Sequence, residues 1–381
     1  MKLKKDKWDK VKLDKLVFNV SERVEPNDTS LDKYIGLEHL DSGKIKIGRH
    51  GSPSEVIGTK LKIYKGDIIF GKRRAYQRKA AVADFDAICS AHSMVLRANE
   101  NHVVKDYLLA FIHSDLFMNR AVEISEGSLS PTIKWKTLAN QFFPLPPLEE
   151  QKQIAALFQS IETAIEQVDV QEKNLKALQK SLVNGLYNKH PEFGNLLNSN
   201  NCKAATFGEI AECDKNYPEH KDEVERFVGL ENIEPDNFQL QGFGLVANGT
   251  TFTKRFVKGD VLFGKRRPYL KKVAIADYDG ICSGDILVIR AKANTMLQGL
   301  LPYYISADGF IQHAISTSAG SLSPRTKWKD LANLEVSIPD LKTQEKILAV
   351  LQQLDNTVKH LKQQKTTLKL LKQKLLNEIL G

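Results

Sequence analysis

Between Glu149 and Asn188 the apolar residues Ile154, Leu157, Ile161, Ala164, Val168, Leu175, Leu178 and Leu182 fall at alternating steps of three and four, with one polar break at Gln171. Such a stripe is the seam of a coiled coil, and a seam that narrow needs a partner helix. The chain supplies one. Ile347, Val350, Leu354, Thr357, Leu361, Leu368, Leu371 and Leu375 repeat the steps, and Gln364 repeats the break. The second set follows the first by 193 residues throughout: 347 against 154, 364 against 171, 375 against 182. One helix therefore separates two copies of a domain, and the other closes the chain.

From Tyr34 to Glu162 the offset of 193 holds without insertion or deletion, so each copy must bury its own core while presenting the same surface. The expected division is a first domain at 1–148, a central helix at 149–188 and a linker at 189–203. A second domain at 204–341 and a closing helix at 342–381 follow. In the first copy, Trp8 to Val20 reads as a short amphipathic segment and Tyr34-Ile-Gly-Leu-Glu as the first clear strand. Asp41 to Gly58 reads as loop or hairpin. A strand from Lys65 runs into a Gly turn carrying basic residues, and strands are predicted at Ala80–Ala83 and Ile88–Arg97. Val104, Leu108, Phe111, Ile112, Leu116 and Ala121 lie at helical spacing within Val103–Ile124, so each copy mixes helix with sheet and the fold class is α+β. A strand at Phe142-Phe143 ends in Pro144-Leu-Pro-Pro-Leu-Glu-Glu-Gln, whose prolines stop the strand and start the long helix.

The net charge of +9 is informative for where it sits. Lys60–Lys79 and Lys254–Lys272 each hold eight basic residues against one acid, so together they carry +14 and the remainder −5. Excess positive charge confined to two equivalent segments is the footprint of a protein that touches a polyanion in two places. No apolar run reaches the ~18 to 20 residues of a membrane span, and the Lys-rich start has no apolar stretch behind it, so the expected compartment is the cytoplasm. Cys89, Cys202, Cys213 and Cys282 form no CxxC pair, and Cys89 and Cys282 are equivalents inside apolar strands, which predicts buried thiols.

Candidate DNA-binding residues are Lys72, Arg73, Arg74, Tyr76, Arg78 and Lys79, matched by Lys265, Arg266, Arg267, Tyr269, Lys271 and Lys272. Arg offers a planar fork for guanine edges and phosphates, and Tyr a flat face or a hydroxyl, although core packing would explain the tyrosines equally. Gly71 and Gly264 would allow a tight turn or a close approach. The runs Gly127-Ser128-Leu-Ser130-Pro131 and Gly320-Ser321-Leu-Ser323-Pro324 offer hydroxyls and backbone N–H groups to phosphate, or form ordinary Ser-Pro turns. Signals for catalysis are weak. There is no phosphate loop, no Asn-Pro-Pro-aromatic or Asp-Pro-Pro-aromatic motif of an amino-methyltransferase, and no zinc-spaced His pair. Gly242-Phe-Gly-Leu-Val-Ala fits a dinucleotide loop only loosely. Asp84 with Asp86, and Asp277 with Asp279, read as hairpin turns before metal sites.

Two basic domains, each followed by a proline-rich junction and a long heptad helix, resemble the specificity subunit of Type I restriction-modification systems. The second junction, Ile-Pro-Asp-Leu-Lys-Thr-Gln, departs from the first with Asp340 and Lys342 in place of Pro147 and Glu149. The resemblance implies a non-catalytic reader whose two target recognition domains each read half of a bipartite double-stranded DNA sequence. Its implied partners are two adenine methyltransferase subunits and restriction subunits that translocate DNA. S-adenosylmethionine and ATP would serve those partners, with no cofactor in this chain and no membrane. The rival classes are a stand-alone nuclease using the Asp pairs and a coiled-coil transcription factor.

From that resemblance the two helices are expected to pair antiparallel, Gln171 near Leu361 and Gln364 near Val168, and to set the unread spacer. Of the 26 positions from Lys65 to Ser90, 17 are identical to Lys258–Ser283, so the half-sites are expected to resemble each other. Differences are expected from Asp41–Ile63 against Glu234–Phe256.

Overall fold

The computed structural model describes residues 5–187, 193, 196–197, 201–213 and 223–381. It divides into two compact units, Met1–Asp169 with Gln363–Gly381, and Val170–Lys362. The boundary falls inside both long helices, Leu148–Leu186 and Leu341–Leu380, so each unit takes half of each helix. Most of the linker expected at 189–203 lies outside the described residues.

In the first unit Asp9–Lys12 pairs antiparallel with Phe142–Leu145. A four-stranded antiparallel sheet runs in the order Val17–Val20, Ser93–Ala98, Ile68–Gly71, Ala80–Val82. A second orders Arg23–Val24, Lys60–Ile63, Ala87–Cys89 and Tyr34–Ile35, the last pair parallel. The strand Ile68–Gly71 shows why its sequence is apolar without alternation: Ile68 and Phe70 enter the core under the helices, while Ile69 enters the core between the sheets. A strand covered on both faces has no polar side to present. In the second unit Val261 and Phe263 face the helices and Leu262 faces the other sheet, and the equivalent strands pair in the same way.

Three local expectations are corrected. Trp8–Val20 is strand, helical turn (Leu13–Leu16) and strand. The segment expected as one strand at Ile88–Arg97 is two, in different sheets, parted by a turn in which Ser93 N donates to Ser90 O. The helical stretch Val103–Ile124 is two helices, Lys105–Ile112 and Asp115–Glu123. It breaks at Ser114, whose Oγ accepts from Phe117 N and caps the second helix.

The helices pack antiparallel within each unit. In the first, Lys365 pairs with Asp169 and Lys372 with Glu162, so seven residues forward on one helix is seven back on the other. Ile154, Phe158, Ile161 and Ile165 share a core with Leu376, Ile379 and Leu380. In the second, Val183 and Leu186 meet Ile347 and Leu351, and Gln179 donates to Asp355 at 2.6 Å.

The seam differs from expectation in phase. Ile154, Ile161, Val168, Ile347 and Leu361 are buried as expected, and Leu157, Leu175, Leu182, Val350, Leu354, Leu368 and Leu375 are partly so. Gln171, Leu178, Gln364, Leu371 and Thr357 are exposed. Val358 and Lys372, one residue after Thr357 and Leu371, are buried in their stead, and Phe158, Ile165 and Leu351 are likewise more buried than Leu157, Ala164 and Val350 just before them. Each helix faces a domain core as well as its partner, so the apolar stripe is wider than a two-position seam, and the bulkier of two adjacent candidates turns inward. Polar positions near the seam are satisfied by the Lys–carboxylate pairs, and Gln171 and Gln364 face solvent.

The proline junctions are fixed by one glutamine in each copy. Gln151 accepts from Val104 N at 2.8 Å and donates to Pro146 O at 2.9 Å. Gln344 accepts from Leu297 N at 2.9 Å and donates to Pro339 O at 2.9 Å. The exchange to Asp340 and Lys342 leaves this lock intact.

Candidate nucleic-acid interface

Asp67 and Asp260, each almost fully buried, anchor the start of the strand that leads to the basic turn. Asp67 takes a two-pronged contact from Arg97 and caps Tyr64 N; Asp260 does the same with Arg290 and Val257 N. The strand ends at Gly71, where an added Cβ would sit 3.2 Å from Leu37 and 3.4 Å from Lys79. The glycine is there for close packing; the left-handed turn falls elsewhere.

That turn is carried by basic residues. Arg74 (φ 56°) and Arg78 (φ 52°) flank the short turn Ala75–Gln77, and Arg267 (φ 52°) and Lys271 (φ 51°) flank Pro268–Leu270. A left-handed non-glycine residue costs about 1 to 2 kcal/mol, so four at equivalent places need support from their surroundings. Hydrogen bonds supply part of it. Arg74 N donates to Pro131 O and Arg267 N to Pro324 O, both at 2.7 Å. Lys72 N donates to His92 O, and Ile133 N donates to Lys72 O. The Gly-Ser-Leu-Ser-Pro loop, distant in sequence, is thereby stitched beside the basic turn. Its glycines have positive φ (Gly127 107°, Gly320 113°), and its leucines, Leu129 and Leu322, stand 92% and 89% exposed.

The structure separates the predicted residues into two groups. Arg73 and Arg74 lie 3.4 and 3.3 Å from Ser130 Oγ, and Arg266 donates to Ser323 Oγ at 3.0 Å, while Arg267 reaches Leu322 O. Ser128 and Ser321 are exposed beside them. Tyr76 and Tyr269 are 54% and 50% exposed, which excludes the core-packing alternative. The other group is turned onto the protein. Lys79 and Lys272 donate to the carbonyls of Leu37 and Leu230 at 2.6 Å. Arg78 pairs with Asp115, and Lys271 with Asp308. Lys72 and Lys265 are half-buried, and that burial lowers their pKa below the usual lysine value. The outward surface of each unit is therefore an arginine pair, a serine-bearing loop and a tyrosine.

Residues missed by sequence reasoning complete the surface. Arg73 Nη1 lies 3.4 Å from His92 Nε2, which must accept because guanidinium has no acceptor. Burial, then Arg73 and Lys72, hold the His92 pKa below its ordinary value. The equivalent of His92 is Asp285, gripped by Arg325 at 2.7 and 3.1 Å, with Arg266 at 3.6 Å. Arg325 lowers the Asp285 pKa. The signal was a His-to-Asp exchange just beyond the most alike segment of the two copies.

Asp86 Oδ1 and Asp279 Oδ1 accept from the N–H of Lys65 and Lys258 at 2.8 Å, as turn caps. Among the described residues no group of three or more His, Cys, Asp or Glu is placed to hold a metal. Cys89 and Cys282 are buried, which pushes their thiols up to about 12. No described helix is long and apolar enough to cross a membrane.

Two like units, each showing a strained arginine turn braced by a second loop, define a duplicated recognition module. The family model for the type I restriction modification DNA specificity domain matches residues 5–176 and 243–370. The chain is 32% identical to the type I restriction enzyme EcoDI specificity subunit of Escherichia coli over 29% of its own length and 24% of that protein. It is 23% identical to the MjaVIII specificity subunit of Methanocaldococcus jannaschii over 76% of this chain and 72% of that one. A solved chain from work on complex assembly and conformational transition of the type I R-M system superposes with TM-score 0.59 and 21% identity, over 97% and 96% of the two chains. The chain belongs to the family of type I restriction-modification specificity subunits, which recognise DNA targets and are not themselves enzymes.

Proposed function

We propose that each unit reads one part of a two-part double-stranded DNA target, with the arginine turn and the Gly-Ser-Leu-Ser-Pro loop as the reading surface. The observation that carries this is the recurrence of left-handed basic residues at two positions in both copies, Arg74 with Arg267 and Arg78 with Lys271, since strain of this kind persists where a surface must hold one shape. Arg73, Arg74, Arg266 and Arg267 present forks suited to phosphate and guanine edges, and the exposed tyrosines add flat faces.

On this reading the chain scaffolds two adenine methyltransferase subunits and restriction subunits through its helices and junctions. S-adenosylmethionine and ATP are used by those partners, and the working compartment is the cytoplasm, where the DNA is. Arg73→Ala with Arg74→Ala, or Arg266→Ala with Arg267→Ala, tests it in the assembled complex. DNA binding should weaken and its salt dependence flatten, by roughly one unit of slope for each phosphate left without its arginine. The methyltransferase subunits should still co-purify. Unchanged DNA binding, or loss of the methyltransferase, would reassign the turn.

A further inference from the structure

The two reading surfaces share one backbone. Lys72 N donates to His92 O and Lys265 N to Asp285 O, and Arg73 bridges to Thr132 as Arg266 bridges to Arg325. Against that common frame two polar exchanges fall beside the first arginine: His92 becomes Asp285 and Thr132 becomes Arg325, while their neighbours Ala91, Ser93 and Ile133 become Gly284, Ile286 and Thr326. The hydrogen bonds change with them. Among the described residues the Arg73 side chain has only long ones, 3.4 Å to His92 and 3.4 Å to Ser130, so its fork is available for a bidentate partner. Thr132 Oγ1 is turned to Ser130 O. In the second unit the Asp285 carboxylate holds both prongs of Arg325 and lies 3.6 Å from Arg266, which also donates to Ser323.

We propose that the pairs His92/Thr132 and Asp285/Arg325 are specificity-determining residues that make the two arginine turns read different base pairs. This rests on the turn being the DNA-reading surface. An open guanidinium fork selects guanine through O6 and N7. In the second unit Arg325 has both prongs engaged on the Asp285 carboxylate, and the remaining carboxylate lone pairs accept from the amino group of cytosine or adenine. The charge of the cluster is about the same in both units, since one added Arg is offset by one added Asp. The difference is therefore one of hydrogen-bond pattern, which changes the base read and leaves the grip on the backbone alone.

The test is a reciprocal exchange in the full chain assembled with its methyltransferase subunits: His92→Asp with Thr132→Arg, and separately Asp285→His with Arg325→Thr. Selection from random duplex DNA then gives the preferred target of each complex. The first exchange should change one base pair of the first part of the target towards the second part's preference, by about tenfold or more, and the second exchange should do the converse. Targets unchanged in both exchanges would overturn the inference. So would equal weakening on all sequences with melting temperatures retained, because the pairs would then serve only the backbone grip. A failure of the underlying reading shows separately, as unaltered DNA binding in the Arg73→Ala, Arg74→Ala chain.

Discussion

The Asp308 carboxylate accepts from Lys271 Nζ at 2.6 Å and, on its other oxygen, from Asn184 Nδ2 at 2.9 Å. The basic turn of the second unit is thus tied to the helix Leu148–Leu186. In the first unit Asp115 pairs with Arg78 and accepts from Gln373 and Asn377 of the helix Leu341–Leu380. The same aspartate at the same helix start joins turn to helix in each copy, with the helices exchanging roles. Lys271 first, then Asn184 and Lys180, bring the Asp308 pKa down to about 2, so the tie is complete above its ordinary carboxylate pKa and is lost as pH falls towards 2.

Asp308→Asn separates positioning from charge. Removing an acid from a basic surface by itself strengthens binding to any DNA, whereas loosening the turn weakens binding to the right sequence. The pair is partly exposed, so the stability cost should stay below about 1 kcal/mol. We expect the ratio of target to random-sequence affinity to fall, measured by competition titration at fixed salt. A uniform rise on all sequences would make Asp308 a mere counter-charge.

The observed helix phase predicts which positions matter. Phe158→Ala removes a side chain that is 4% exposed in the core and should cost about 3 to 5 kcal/mol. Leu178→Ala removes one that is 48% exposed and should cost under about 1 kcal/mol. Urea unfolding of the two variants compares them directly; equal costs would restore the phase expected from the heptads.

That shift in phase shows what the linear pattern carries and what it does not. Duplication, helix pairing and the two basic segments were legible because each recurs at a fixed offset. Helix phase was not, since Leu157 and Phe158, or Val350 and Leu351, satisfy a heptad equally until the domain core selects one. Lys79 and Lys272 looked like their neighbours in sequence, and only the fold shows them donating to Leu37 and Leu230. The Ser130 and Ser323 loops were found as motifs, but their seat beside Arg74 and Arg267 depends on long-range bonds to Pro131 and Pro324 that no local signal encodes.

Asp67 is 2% exposed and answers Arg97 with both oxygens, at 2.7 and 2.9 Å, while capping Tyr64 N. Asp67→Ala leaves a guanidinium and a backbone N–H without their acceptor just before the reading turn. The expected loss is about 2 to 4 kcal/mol, the range for breaking a charged hydrogen-bond set of which one member is buried. Hydrogen exchange should show the loss concentrated in Ile68–Gly71 and Ser93–Ala98. Exchange unchanged there would mean that the strands hold without the aspartate.

His113 gives the first unit a buried imidazole that sensitises it to acid. It is buried between the helices Lys105–Ile112 and Asp115–Glu123, bonded to the backbone of Ala80, and its Nε2 has no partner among the described residues. Burial first, then the charges of Lys372 and Arg78, push its pKa down to about 3. The folded unit therefore holds the imidazole neutral while the unfolded chain takes up a proton below about pH 6.5, so stability falls as pH falls from there towards 3. The slope approaches about 1.4 kcal/mol per pH unit. Ser306 occupies the equivalent place in the second unit. Between about pH 7 and about pH 5 the core amides of the first unit should lose protection by on the order of 1 to 2 kcal/mol more than those of the second. His113→Gln should remove most of that difference, His92 keeping the smaller remainder, and a difference that survives in full would assign it to another group.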